Sequence, residues 1–157
     1  MPIALHIALA QPSDALAIAD MSRRLIEQGL PWTWRPRRVA GAISAPNTNV
    51  AVVRERTELL AFGIMEYWDE DAHLVLFAVE PTYQRQGIET ALLRWLEVSA
   101  MACGSHRIRL EARRDNEAAR LFYNEHGYHE VHLKERMYSG ALDGIRLEKW
   151  PRPKSDA

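Results

Sequence analysis

With 157 residues, 47% of them hydrophobic and 26% charged, the chain can bury one core without covalent staples and has the make-up of a soluble folded domain. Twenty basic against 21 acidic side chains speak against a general nucleic-acid or membrane-surface binder, and no apolar run nears the roughly 20 residues of a membrane helix. A single cysteine excludes an internal disulfide and MPIALHIALAQP lacks a signal peptide's basic leader, so a cytoplasmic protein is expected.

Ile3 to Leu9 reads as a first strand, and Ser13 as the cap of a helix with Ile18, Met21 and Leu25 on its stripe and Gly29 past its end. A connection bearing Pro31, Trp32, Trp34 and Pro36 leads to a short helix near Arg37 to Ala45. Three strands follow as a meander, about Asn49 to Arg54, Leu59 to Trp68 and His73 to Glu80, joined by short charged turns. From Gly87 the apolar period becomes helical, with Ile88, Ala91, Leu92, Trp95, Val98 and Ala102 on one face and Cys103 as a buried, inert thiol near its end. Arg107 to Arg113 alternates strictly and is a strand; Asn116 to His126 is a helix closed by Gly127. Tyr128 to Met137 and Ile145 to Trp150 form a last strand pair, before a tail over 151–157 expected to be disordered.

The order βααβββαβαββ predicts one α/β (α+β) domain over residues 1–150, a mixed sheet of about six to seven strands flanked by about four helices. Val79-Glu80-Pro81-Thr82-Tyr83-Gln84-Arg85-Gln86-Gly87-Ile88 lies mid-sheet, running from a strand into a glycine turn and a helix. Gly87 permits positive φ or close approach to a ligand, and the helix start favours a phosphate, with Arg85 as a nearby cation. An ordinary strand-to-helix turn explains the same residues.

Val79-x-Pro81-x-x-Gln84-x-x-Gly87-Ile88, continued by Ala91-Leu92-Leu93, resembles the acetyl-CoA loop of the GNAT N-acetyltransferase superfamily. Asn116-x-x-Ala119-x-x-Phe122-Tyr123-x-x-x-Gly127-Tyr128 is similar to that superfamily's second signature, and Tyr83-Gln84-Arg85-Gln86-Gly87 with the Leu110-Glu111-x-x-x-x-Asn116 spacing most resembles the bacterial ribosomal-protein alanine N-acetyltransferases. The resemblance implies a GNAT fold and acetyl-CoA as cofactor, without a metal. It implies a coenzyme site at Phe77, Ala78, Val79, Gln84, Arg85, Gln86, Gly87, Ile88, Glu89, Thr90, Asn116, Ala119 and Tyr123. Backbone N–H groups of Phe77 to Val79 would polarise the carbonyl, and Tyr123 would be the general acid to the leaving thiolate. Helix packing of Tyr123 and simple capping by Asn116 account for both residues without a ligand.

Three carboxylates compete for the base. Glu111 stands where the ribosomal-protein enzymes place theirs, but shares a strand face with Arg109 and Arg113, as a surface ion pair would. Glu66 ends an apolar strand face of Leu60, Phe62 and Ile64, and desolvation there would raise its pKa. Glu80, before Pro81, is the third, and a water-relayed base or none is the remaining alternative. The family's acceptor entrance falls at Trp32 and Trp34, with Tyr67, Trp68 and Tyr138 opposite; anchoring of the loop is the plainer use of the two indoles. His73, His106, His126, His129 and His132 lack metal-ligand spacing.

The expected activity is direct transfer of an acetyl group from acetyl-CoA to a primary amine, a protein N-terminus or a small molecule, in a ternary complex. A non-catalytic acyl-CoA sensor on the same scaffold is the alternative, and pairing of two copies through the final strands is a further expectation. One departure from the motif bears on both readings: its final Gly or Ala is Glu89. A carboxylate about 5 Å from a pyrophosphate charge costs about 3 kcal/mol at an effective dielectric near 20, and much less when solvated. Glu89→Gly is therefore expected to tighten acetyl-CoA binding by up to about tenfold; a calorimetric titration with unchanged or weaker affinity would refute this.

Overall fold

The computed structural model describes residues 5–84 and 87–151. Strand β1 (His6–Leu9) leads through a 3₁₀ turn (Pro12–Asp14) into α1 (Ala15–Met21), which runs on as one π-helical turn (Ser22–Ile26). Helix α2 (Pro36–Ser44) and the meander β2 (Thr48–Glu55), β3 (Glu58–Trp68) and β4 (Asp71–Val79) follow. Then come α3 (Ile88–Ala102), β5 (Arg107–Arg113), α4 (Glu117–Glu125), β6 (His129–Tyr138) and β7 (Leu142–Lys149). The predicted order of elements and the seven-stranded α/β sheet with four α-helices agree with expectation. Residues 3–4 of the expected first strand, and 152–157 of the expected tail, lie outside the described residues.

The sheet runs β1-β2-β3-β4-β5-β7-β6. Every neighbouring pair is antiparallel except β4 and β5, which are parallel and joined through α3, as a parallel crossover requires. Helices α1 and α2 cover one face, with Ile18, Ala19, Met21 and Val39 packed on Val50, Val52, Phe62 and Ile64. Helices α3 and α4 cover the other, where Ile88, Leu92, Leu93, Leu96 and Ala100 meet Leu60, Met65, Leu74, Ile108 and Leu110.

Local chemistry departs from expectation at three places. Ser13 does not cap α1: Pro12 starts a 3₁₀ turn that hands the N-cap position to Asp14. The carboxylate of Asp14 accepts from the Gln11 N–H at 2.8 Å and pairs with Arg54 of β2. The buried face of α3 is rotated from the predicted stripe. Leu93, Leu96 and Ala100 are fully buried, while Val98 is 61% exposed and Ala102 faces out. An apolar run with several Ala and Leu positions supports two neighbouring stripes, and the sheet selects one. Cys103, expected to be buried, is exposed at the C-cap, because Gly104 at φ +86 ends the helix one turn beyond Ala100.

The connection from α1 to α2 folds around one carboxylate. Glu27, 7% exposed, accepts from Ser22 Oγ at 2.9 Å, from Thr33 N–H and Oγ1 at 2.7 Å, and from the Trp34 N–H at 3.3 Å. Burial pushes the carboxyl up, but hydrogen bonds from Thr33, Ser22 and Trp34 outweigh it and hold Glu27 below its usual range. Removing such an acceptor strands its donors, so Glu27→Ala should cost about 3 kcal/mol of unfolding free energy. Urea titration measures this, and a loss under 1 kcal/mol would contradict the assigned role.

Candidate functional site

Strands β4 and β5 begin as a paired ladder and then part. Asp71 to Leu74 pair with Arg107 to Leu110, but neither Val75 to Val79 nor Glu111 to Arg113 continues that pairing. Parting coincides with a bulge. Met65 of β3 faces Leu74 and Ile64 faces Leu76, leaving Val75 as an extra residue that bends β4 away from β5. The opening is a cleft of about 460 Å³. Its walls are Leu74 to Phe77 of β4, Leu110 to Arg113 of β5, Asn116, Ala119 and Tyr123 beside α4, and Tyr138 of β6. Leu25, Ile26 and Gln28, from the π-helical turn and the residues after it, close the remaining side.

Alternation along β4 decides which amides face this opening. The Glu80 N–H donates to Leu60 of β3 at 2.8 Å, which turns Ala78 toward β3 as well and leaves Phe77 and Val79 directed at the open side. The Val79 carbonyl does face that way, for Gln84 Nε2 donates to it at 3.2 Å. Of the three expected amides, Ala78 is therefore turned away from the cleft, and its methyl sits in the α1–α2 core. Gly87, at φ +84, is the N-cap of α3, with open space where a Cβ would stand. Positive φ is what the glycine is for, and the first amides of a 15-residue helix follow it. Arg85 and Gln86 lie outside the described residues. Ile88 puts its side chain wholly in the core, and Glu89 lies half-buried in the helix's first turn. Thr90 Oγ1 is 2.9 Å from His126 Nε2, and His126 Nδ1 is 2.7 Å from the Phe122 carbonyl, tying the start of α3 to the end of α4.

Helix α4 carries Tyr123 at the cleft. Asn116 Oδ1 accepts from the Ala119 N–H at 3.1 Å, the expected N-cap, leaving its Nδ2 to donate elsewhere. Tyr123 is 8% exposed, with Phe122 at 5.3 Å, Tyr128 at 5.7 Å and Phe77 at 6.3 Å between ring centres. Its hydroxyl has no hydrogen-bond partner among the described residues, and burial, then Tyr138, raise its pKa, so the phenol stays protonated. Tyr138 is pushed up to about 12 by burial and by Glu111.

Glu111 reaches the cleft from β5 with both oxygens engaged. Oε1 lies 2.7 Å from His73 Nε2, and Oε2 accepts from Arg146 Nε at 3.2 Å with Arg109 at 3.9 Å. Burial pushes this carboxyl up, yet His73 and Arg146 outweigh it and bring the pKa to about 2. The expected pairing with Arg113 is absent among the described residues, for Arg113 instead donates to the Gln28 carbonyl at 2.9 Å and pairs with Asp115. Glu66 is half-buried opposite His73 in the β3–β4 register but does not line the cleft. Glu80 holds Arg24 at 2.6 Å.

Most aromatic residues expected at the acceptor entrance do not line this cleft. Trp34 is 7% exposed and Trp32 half-buried, both packed in the α1–α2 core and neither on the cleft; the plainer anchoring use describes them. Tyr67 faces the opposite side of the sheet, its hydroxyl accepting from Asn49 Nδ2 at 2.8 Å, because β3 alternation separates it from Ile64 and Glu66. Trp68 is 53% exposed at the β3–β4 hairpin. Tyr138 alone of the five lines the cleft. His73, Arg146 and the wall at Leu25 to Gln28 were not singled out from sequence. The strict alternation of β5 placed Glu111 and Arg109 together, but naming His73 needed the β4–β5 register.

Comparison with known proteins gives this arrangement a family. The model of the acetyltransferase (GNAT) family matches residues 18–128. A [ribosomal protein bS18]-alanine N-acetyltransferase of Escherichia coli (strain K12) is 35% identical over 81 residues, 52% of this chain and 55% of that protein. The chain thus spans about half the length of the bS18-alanine N-acetyltransferases it matches. The N-alpha-acetyltransferase RimI of Mycobacterium tuberculosis is 29% identical over 137 residues, covering 82% of each protein. Among solved structures, the ribosomal-protein-S18-alanine N-acetyltransferase from Escherichia coli superposes with a TM-score of 0.82 at 24% identity over 97% of both chains. Ard1 from Thermoplasma volcanium gives 0.85 at 18% identity over 96% of this chain and 100% of that one. The PaiA N-acetyltransferase from Thermoplasma acidophilum, solved with coenzyme A, gives 0.78 at 16% identity over 94% and 99%. Those solved structures share the fold; the sequence match, which spans the parted strands, the glycine turn and the Tyr123 helix alike, makes the chain a member of the acetyltransferase (GNAT) family.

Proposed function

We propose that residues 1–150 form one acetyltransferase domain that moves the acetyl group of acetyl-CoA onto the α-amine of a polypeptide N-terminus, by direct attack in a ternary complex. The observation that carries this reading is the cleft between the parted strands, with a protonated phenol inside it and a glycine-started helix at its head. The pyrophosphate would lie on the first amides of α3, and the pantetheine arm along the open edge of β4 at Phe77 and Val79. Asn116 Nδ2 is free to donate to that arm. The amine nitrogen attacks the thioester carbon and the C–S bond breaks. The amine's proton leaves to water, and the thiolate takes the hydroxyl proton of Tyr123, which solvent restores.

Glu111 narrows the acceptor. A carboxylate held near pKa 2 with both oxygens engaged is a feeble base, though its charge suits an incoming ammonium. Neutralising a lysine amine at pH 7 costs about 4–5 kcal/mol, an α-amine only about 1–1.5. A site whose carboxylate cannot take up a proton favours the α-amine, and the names of the relatives, alanine and N-alpha acetyltransferases, point the same way. Glu66 stands behind His73, away from the cleft, and Glu80 is committed to Arg24.

Thiol release from acetyl-CoA with N-terminal peptides tests the reading. Tyr123→Phe should lower kcat by roughly 10²-fold with KM little changed, and a variant as fast as the wild type removes the general acid. Peptides offering only a lysine amine should react roughly 10²-fold more slowly at pH 7 than those with a free N-terminus, and equal rates would overturn the α-amine assignment. Stability carries a second signature of Glu111. Because its folded pKa is depressed from 4.5 to about 2, its contribution is present above pH 4.5 and is lost as pH falls toward 2. The margin of wild type over Glu111→Gln in urea unfolding should shrink by on the order of 2 kcal/mol between pH 5 and pH 2.5. A margin flat across that window would deny the clamped carboxylate.

A further inference from the structure

The surface joining the π-helical turn to the start of α2 carries more positive than negative charge, for its carboxylate Glu27 is buried beneath it and spent on Ser22, Thr33 and Trp34. Residues 28–54 contain no aspartate or glutamate. Arg35, Arg37 and Arg38 are exposed, and none forms an ion pair among the described residues. Arg23 is also exposed, 3.6 Å from Asp20, a carboxylate it shares with Arg24. Two indoles prop this charge in place. The guanidinium carbons of Arg35 and Arg23 stand 4.7 Å and 5.3 Å from the Trp32 ring centre, and that of Arg38 stands 3.8 Å from Trp34. Trp34 is itself fixed by burial and by its N–H on Glu27, so Arg38 rests on a rigid base. Two like charges sharing one indole repel. The first turn of α2 contains no acidic residue, although the helix dipole would favour one there. The arrangement is costly for the isolated chain and suited to an external anion, since stacked guanidiniums keep their N–H edges free for carboxylates.

The position of the patch indicates which anion. Arg23 belongs to the same turn that supplies Leu25 and Ile26 to the cleft wall. A chain whose amine lies beside Glu111 extends by about 3.3–3.6 Å per residue, so a few residues carry it past that turn. A nucleic acid fits less well. The whole chain has net charge −1 and a pI near 6.6, and the uncompensated arginines form one compact group rather than a stripe following several phosphates.

We propose that this arginine–tryptophan face selects the acceptor, receiving aspartate and glutamate side chains in the residues that follow the acetylated N-terminus. The inference rests on the polypeptide-acceptor reading above. Substrates are then bipolar, with an ammonium drawn toward Glu111 and carboxylates seated on Arg23, Arg35 and Arg38.

Three peptides sharing one first residue, with acidic, neutral or basic residues behind it, provide the test in the thiol-release assay. The acidic peptide should exceed the neutral one about tenfold in kcat/KM at low salt, through KM, the size expected of two or three exposed charge pairs. The acidic-to-neutral ratio should fall toward one in Arg35→Gln/Arg38→Gln and at 0.5 M salt, and largely persist in Arg35→Lys/Arg38→Lys. Because each ratio is taken within one protein, partial misfolding of a variant cancels. Equal rates for acidic and neutral peptides, or a preference that survives the glutamine pair, overturn the inference while leaving the function intact. So does an RNA oligonucleotide that binds this face while acidic peptides gain nothing. Turnover of a small amine with none of the peptides removes the polypeptide-acceptor reading beneath it.

Discussion

Everything at the cleft depends on one break in a hydrogen-bonded ladder. Buried backbone N–H and C=O groups need partners, so a sheet rarely opens at its middle. Here β4 and β5 separate after Leu74 and Leu110, and the bulge at Val75 supplies the bend. The break makes an edge inside the fold, with the directed amides of Phe77 and Val79 on one side and the polar face of β5 on the other. Helix α4 can then lower Tyr123 into the gap, and the π-helical turn can approach from the opposite face. The groove between the strands and the wall at Leu25 and Ile26 are two consequences of the same missing rungs.

Around that opening the protein has settled its charges in advance. Glu111 has fixed partners on three strands, His73 on β4, Arg109 on its own strand β5 and Arg146 on β7, so its carboxylate reports little of the solvent. Tyr123 is kept neutral by an aromatic surround of Phe77 from β4, Phe122 from α4 and Tyr128 just before β6. Preorganised groups of this kind need no rearrangement when a reacting carbonyl arrives. Arg24 on Glu80, just past β4, and Arg113 of β5 on the carbonyl of Gln28, just past the π-helical turn, join that segment to both sides of the opening.

Much of this was legible in the chain because it rests on short-range patterns. Alternation identified β5, the glycines marked the ends of α3 and α4, and the order of elements followed from periodicity and turn residues. Asn116 was readable as a cap because capping needs only three residues of context. What escaped depends on registers and packing between distant segments. His73 meets Glu111 only once β4 and β5 are known to be parallel neighbours in one register. The π-helical turn has no residue signature, since any sequence can carry one extra residue where packing rewards it. The buried stripe of α3 is not legible in the chain because Leu93 and Leu96 compete with Trp95 and Val98 as apolar neighbours on a helix, and only the sheet decides. Trp32 and Trp34 pack in the α1–α2 core and carry arginines above them, a use that chain position alone does not separate from lining a pocket.

The last strand in the sheet order, β6, bears on how copies of this chain meet. Among the described residues it leaves one backbone edge unpaired, yet register breaks fall between Glu130 and His132 and again between Lys134 and Tyr138, and Arg136 takes φ +51. Its exposed residues mix His129, Glu130, His132, Glu135 and Arg136 with the apolar Val131, Leu133 and Met137. A kinked border carrying charges of this kind is a poorer template for a foreign strand than a flat one. Pairing of two copies along the final strands would have to straighten that border first.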